Sequence, residues 1–151
     1  MEIKTEKSRW IIKTSHELRI PEVAEYSRRY CAEIQTEILN QKLESSGPWI
    51  FISYNLPKNG TDLYRIEFCM QINNPETYKG NFEISLLHDF KCASAIYIGN
   101  LRGLFSEGYK PLLEKIAEEE LIFTGESREV YHRWDDPKSA ENNIEIQFGI
   151  K

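Results

Sequence analysis

The sequence predicts an α+β domain, a curved antiparallel sheet carrying two helices on one face and a ligand groove on the other. Three observations carry this. The closing stretch Asn143–Ile150 alternates apolar and polar residues without a slip, as a half-buried strand does. Apolar residues recur at helical spacing in two separate segments. The Ile144-Glu145 opening of the last strand is repeated at Ile66-Glu67, ahead of Ile72, so the chain reads as doubled, with repeats over 1–74 and 80–151 inside one domain, 1–151.

Taken in order, Glu2–Thr5 and Arg9–Lys13 are short strand candidates. From Pro21 the pattern turns helical: proline suits a first turn, Glu22 complements the positive end of the helix dipole, and Val23, Tyr26, Tyr30, Ile34 and Ile38 recur on one face. The helix is expected to run to about Glu44 and to stop at Ser45-Ser46-Gly47-Pro48. Trp49–Tyr54 and Leu63–Ile72 form a hairpin across a turn containing Pro57 and Asn59-Gly60. Phe82–Leu87 and Cys92–Ile98 are strands of the second unit. Leu101, Leu104, Phe105, Leu112, Leu113 and Ile116 mark a second helix, which Pro111 either kinks or begins anew. Ile122–Trp134 is a strand, and Asp135-Asp136-Pro137 turns into the last one. Tyr26, Tyr30 and Phe105 are read as core.

A chain of 151 residues can bury roughly 70% of its unfolded surface, so it needs no staples. Its three cysteines, Cys31, Cys69 and Cys92, lie far apart among apolar neighbours and read as reduced packing residues. The longest apolar runs are far short of the ~20 residues that cross a bilayer, and the charged start Met1-Glu2-Ile3-Lys4 is no signal peptide, so the expected location is cytoplasmic, without a membrane partner. A net charge of −5 disfavours phosphate backbones and modestly favours cationic ligands. His16, His88 and His132 are not spaced as ligands, no serine sits in a nucleophile elbow, and Cys69 is flanked by Phe68 and Met70; neither a metal, a cofactor nor a covalent nucleophile is expected.

The pattern resembles the GyrI-like small-molecule-binding domain, the effector-binding module of AraC-type regulators and, in related form, of multidrug sensors. The residues that carry the resemblance are Tyr97-Ile98-Gly99-Asn100-Leu101, the helix Tyr109–Ile116, Thr124-Gly125-Glu126-Ser127-Arg128-Glu129-Val130-Tyr131, Asp136-Pro137 and Ile144-Glu145-Ile146-Gln147. In the first half they are Gly47-Pro48-Trp49-Ile50-Phe51-Ile52-Ser53-Tyr54 and Leu63-Tyr64-Arg65-Ile66-Glu67. Asn143 stands where the family often has Thr, and Phe148-Gly149-Ile150 replaces a Pro-containing ending. No helix-turn-helix accompanies this stretch, so the resemblance implies a stand-alone pocket, with any operator contact made through a regulator or another protein partner.

The resemblance implies binding of lipophilic, cationic or planar aromatic compounds by an acidic residue set among aromatic rings. If Ile144, Ile146 and Phe148 pack under the helices, Glu145 faces the opposite groove, and Glu67 enters it from the other half. A carboxylate facing an apolar groove loses hydration until a cation arrives. Tyr54 and Tyr131 are expected to orient the ligand, with core packing as the rival reading; Trp49 and Trp134 are candidate walls, and Tyr97 a candidate rim. The alternative function is a hydrolase of strained, cyclopropanoid-type electrophiles, with Glu145 and Glu67 as an acid and base pair. A third is a protein-interaction module acting on a larger enzyme such as a topoisomerase, which would need an exposed apolar surface.

Overall fold

The computed structural model describes all residues from Met1 to Lys151. In chain order the elements are β1 (Glu2–Glu6), β2 (Arg9–Leu18), α1 (Val23–Asn40), β3 (Ser45–Tyr54), β4 (Tyr64–Ile72), β5 (Glu83–Leu87), β6 (Phe90–Ile98), α2 (Lys110–Glu118), β7 (Phe123–Arg133) and β8 (Asn143–Ile150). All eight strands join one curved antiparallel sheet in the order β1-β6-β8-β7-β3-β4-β2-β5. This is the α+β class that the alternating strands and the two helical stretches predict. β3 and β7 meet at its centre. On either side the same arrangement appears: Ile52 on β3 lies opposite Glu67 on β4, and Val130 on β7 lies opposite Glu145 on β8. The edges are exchanged, because β1 pairs with β6 of the second half and β5 with β2 of the first.

Since successive side chains of a strand point to opposite faces, the register assigns each residue a side. One row runs Ile12, Met70, Trp49, Tyr131, Ile144, Tyr97 across β2, β4, β3, β7, β8 and β6. This is the helix side: Ile34 and Ile38 of α1 pack with Ile12, Met70 and Ile72. On the other half Leu112 and Ile116 of α2 pack with Ile146, Phe148 and Ile150. The helix-free side holds a smaller apolar cluster of Ile11, Ile50, Ile52, Cys69, Leu87 and Val130. Cys69 and Cys92 are fully buried free thiols.

Three local expectations change. The first helix ends at Asn40, and Lys42 at φ 54° turns the chain, so Ser45–Pro48 open β3 instead of stopping the helix. The ladder slips between Ser45 and Trp49, around Gly47 at φ 78°, and Pro48, which has no N–H to donate, sits inside this irregularity. β2 continues to Leu18 because Thr14–Leu18 pair with Tyr64–Phe68, contacts that short-range pattern does not reveal.

The second helix is composite. A 3-10 turn, Leu101–Gly103, leads into a π-helical turn, Leu104–Tyr109, and Pro111 follows directly as the second residue of α2. The Lys110 N–H reaches back to the Phe105 carbonyl, five residues earlier. This wider turn shifts the phase of the apolar stripe: Phe105, expected in the core, is 67% exposed, while Gly108 and Tyr109 face the sheet. Gly108 permits the approach, since a Cβ there would lie 2.8 Å from Cδ1 of Ile146 and 3.2 Å from Cβ of Tyr97.

Candidate functional site

The two carboxylates singled out by the doubled strands do share the helix-free face, and both already have partners. Glu67 is fully buried; its Oε2 accepts from Lys13 Nζ at 2.8 Å, Ser15 Oγ at 2.7 Å and Arg65 Nη2 at 2.9 Å, and its Oε1 from the Tyr54 hydroxyl at 3.0 Å. Burial would raise its pKa, but the hydrogen bonds from Lys13, Arg65 and Ser15 outweigh it and bring the carboxyl down to about 2. Glu145 is met by Lys4 Nζ at 2.6 Å, His132 Nε2 at 2.8 Å and Gln147 Nε2 at 2.8 Å. Burial again acts upward, and Gln147, Lys4 and His132 hold its pKa below the usual carboxylate value.

The pair is not arranged for shared chemistry. Glu67, Ile52, Arg128 and Gln147 form one row over four strands, with Glu145 two residues further along β8. Three strand spacings of ~4.8 Å separate Glu67 from Gln147 by roughly 14 Å along the sheet, too far for a proton or one water to be shared. The depression beside Glu145, bordered by Ile50, Arg128, Val130 and His132, has a volume of about 80 Å³. Sites for drug-sized ligands are typically several times larger.

The aromatic candidates divide between the faces. Tyr54 stays with Glu67, its ring under the Arg65 guanidinium at 4.4 Å. Trp49, Tyr97 and Tyr131 lie on the helix side by strand parity, so the expectation that they line a groove with Glu145 is corrected. Trp49 packs against the core under α1, and Tyr97 is buried in the cluster beneath α2 with its hydroxyl on the Asn100 carbonyl. Trp134, just past β7 and 43% exposed, meets Tyr131 edge-on at 5.7 Å.

What the helix side does gather is a third carboxylate. Glu129, in the middle of β7, stands in the row Phe68, Phe51, Glu129, Ile146, Ala95, a lone acid among apolar neighbours. Tyr109 from the π-helical turn donates to its Oε2, and Tyr131, two residues along β7, donates to its Oε1. Phe51 lies 4.7 Å from both Phe68 and Tyr131, so an aromatic surface extends from Trp134 toward α1, where His16 contacts Tyr30 at 4.2 Å. Burial, and then the Glu129 charge, push the Tyr109 and Tyr131 phenols well above their ordinary pKa and bring Tyr64 up to about 12. Both phenols are therefore donors at neutral pH. Glu129 belongs to none of the ion pairs of the molecule. Sequence reasoning passed over it because it sits between Arg128 and Val130 like a solvated strand residue. The signal was Tyr131: residues two apart share a face, so a helix-side Tyr131 brings Glu129 with it.

No group of three or more His, Cys, Asp or Glu side chains converges as a metal site, and no helix is long and apolar enough to cross a membrane.

No protein-family model and no curated protein sequence matches the chain. Solved structures do. The C-terminal domain of EcmrR is 20% identical with a TM-score of 0.79, covering 99% of this chain and 96% of that one. In a complex of EcmrR with DNA the values are 18% and 0.78, and this chain spans only 56% of the EcmrR chain. SAV2435 bound to tetraphenylphosphonium is 13% identical with a TM-score of 0.66, covering 100% of this chain and 94% of its own. A hydrolase encoded by lin2189 of Listeria innocua is 8% identical, again at 0.66, covering 99% and 91%. At these identities the likeness establishes architecture alone: the chain shares its overall fold with these structures.

Proposed function

We propose that this chain is an effector-binding domain that takes up a lipophilic cation or cationic aromatic molecule between its helices, with Glu129 as the charge partner and Tyr109, Tyr131 and Trp134 as the surrounding rings. The observation that carries the proposal is the contrast among three strand carboxylates. Glu67 and Glu145 hold resident cations, whereas Glu129, half-buried between Phe51 and Ile146 in its row, has two phenols and no cation. A half-buried carboxylate without a counter-charge is costly, and a cation entering from outside relieves that cost. Aromatic faces add about 0.5–2 kcal/mol per well-placed ring, with tolerance for ligand shape. The tetraphenylphosphonium complex of a protein with the same fold supports this class of ligand. With a net charge of −5, the chain is suited to passing the ligand signal to a partner protein or domain rather than to contacting phosphates itself.

Titration calorimetry with tetraphenylphosphonium tests this. Saturable binding is expected, weakened by about tenfold or more in Glu129→Gln and changed by less than about twofold in Glu145→Gln. Equal affinities for wild type and Glu129→Gln would end the proposal.

The hydrolytic reading keeps one supporting observation: a carboxylate between two phenolic donors can both accept and return a proton. Fold neighbours named as hydrolases are compatible with it. Product analysis of strained electrophiles incubated with wild type and Glu129→Gln separates turnover from binding, since only turnover converts them.

A further inference from the structure

Leu56, in the loop between β3 and β4, packs against both halves of the helix side. It meets the cluster of Leu18, Tyr64, Ile66 and Phe68 beneath α1, and the cluster that includes Tyr97, Tyr109, Ile146 and Phe148 beneath α2. Glu129 lies between these two clusters, since its row runs Phe68, Phe51, Glu129, Ile146 across the sheet. The cause is local. Tyr54 turns to the helix-free face to donate to Glu67, and Asn55, in the left-handed region at φ 53°, redirects the chain so that Leu56 settles on the helix side.

The register fixes where this side chain stands. β3 and β7 run antiparallel beneath the helices, with Trp49 opposite Tyr131, Phe51 opposite Glu129 and Ser53 opposite Ser127, so Trp134 lies beyond one end of this floor and Leu56 beyond the other. The Asn55 N–H donates to the Gly125 carbonyl at 2.7 Å, four residues or roughly 13 Å along β7 from Glu129. The rest of the loop is tied down as well. Arg19 Nε, just ahead of α1, donates to the Thr61 carbonyl at 3.1 Å, and the Asn59 side chain accepts from the Thr61 and Asp62 N–H groups at 2.9 Å each. Leu56 is thus held between fixed points, as a stop is and a lid is not.

The helix-side residues of β3, β4 and β7 at this end are Ser53, Tyr64 and Ser127, none of them charged, while Glu126 is on the other face with Arg128. We infer that Leu56 is a specificity-determining residue of the Glu129 site, the stop against which the uncharged arm of the bound cation rests and which sets the greatest length of that arm. The inference rests on the reading of Glu129 as the charge partner and extends it. The cationic centre sits by Glu129 with Tyr109 and Tyr131, and the arm runs along Phe51 and Ser53 toward Leu56. A bulkier side chain at this position takes the space of the arm, where extra atoms are poorly tolerated, and a smaller one lengthens the groove.

The test is calorimetry of the whole chain with three monocations of rising size: phenyltrimethylammonium, tetraphenylphosphonium and tetra-p-tolylphosphonium. Leu56→Trp should weaken tetraphenylphosphonium by about tenfold or more and phenyltrimethylammonium, small enough to stay beside Glu129, by less than about twofold. Leu56→Ala should improve the tetra-p-tolyl ion relative to tetraphenylphosphonium by about threefold or more. The readout is a ratio of affinities within one variant, which a Leu56 that only supports the fold would leave unchanged because all three ions would weaken alike. Leu56→Ala carries the test by itself if Leu56→Trp does not fold. Tetraphenylphosphonium binding by wild type with unchanged ratios in the variants would overturn this inference and leave the Glu129 reading intact. Wild type that binds none of the three ions would end both.

Discussion

Tyr109 and Glu129 are twenty residues apart in sequence and joined by a hydrogen bond between a π-helical turn and the centre of the sheet. The bond exists because two rare features coincide. Gly108 lets the helix backbone settle onto Ile146, and the five-residue closure rotates Tyr109 inward. Together they bring a phenol to a half-buried strand carboxylate that forms no ion pair.

Substituting Gly108 tests that approach. Gly108→Ala places a Cβ against Ile146 and Tyr97, closer than ordinary packing allows, and overpacking of this kind costs about 1–3 kcal/mol. Gly60→Ala, whose Cβ would meet Pro21 at an ordinary 3.4 Å, serves as control. Urea unfolding should show the first destabilised by that amount and the second within about 0.5 kcal/mol of wild type.

Trp134→Ala should distinguish the faces. The ring is 43% exposed and touches Tyr131, so its loss should weaken tetraphenylphosphonium binding by roughly threefold to thirtyfold with little change in melting temperature. Tyr54→Phe, on the far side with Glu67, should leave the affinity unchanged. Calorimetry on the two variants gives the answer; the reverse pattern would put the ligand on the helix-free face.

Acid sensitivity follows from Glu67. Its folded pKa of about 2 lies below the ordinary 4.5, so the folded state binds the proton less readily than the unfolded chain. The stability it contributes is fully present above about pH 5.5 and is lost as pH falls through 4.5 toward 2, a total of about 3 kcal/mol. Glu145 and Glu6, also lowered, add in the same direction. The urea midpoint should decline over that window in wild type and distinctly less in Glu67→Gln.

The buried pair itself should be strongly asymmetric. Glu67→Leu alone removes the buried counter-charge of Lys13, 8% exposed, leaving it only the exposed Glu83 at 3.4 Å, and is expected to cost about 3–5 kcal/mol. Lys13→Met combined with Glu67→Leu should recover a large part of that loss, because no uncompensated charge remains. A double-mutant cycle in urea measures the recovery; a double variant as unstable as the single one would mean that Ser15, Tyr54 and Arg65 matter more than Lys13.

By itself the sequence determined most of the strands and, for β4 and β8, which face carries the carboxylate. The unbroken alternation of Asn143–Ile150 allows only one side of β8 to enter the core, and the repeated Ile-Glu placed Glu67 and Glu145 in equivalent positions away from the helices. Tertiary structure alone decided what those carboxylates do. Lys4 reaches Glu145 only because β1 joins the sheet beyond β6, and Lys13 reaches Glu67 only because β2 runs beside β4. Both pairings link residues more than fifty positions apart, beyond any local pattern. The same long-range order left Glu129 without a cation and set Tyr109 over it. A strand's period tells which residues share a face, and the neighbours that settle their charge are chosen by the order in which the strands assemble.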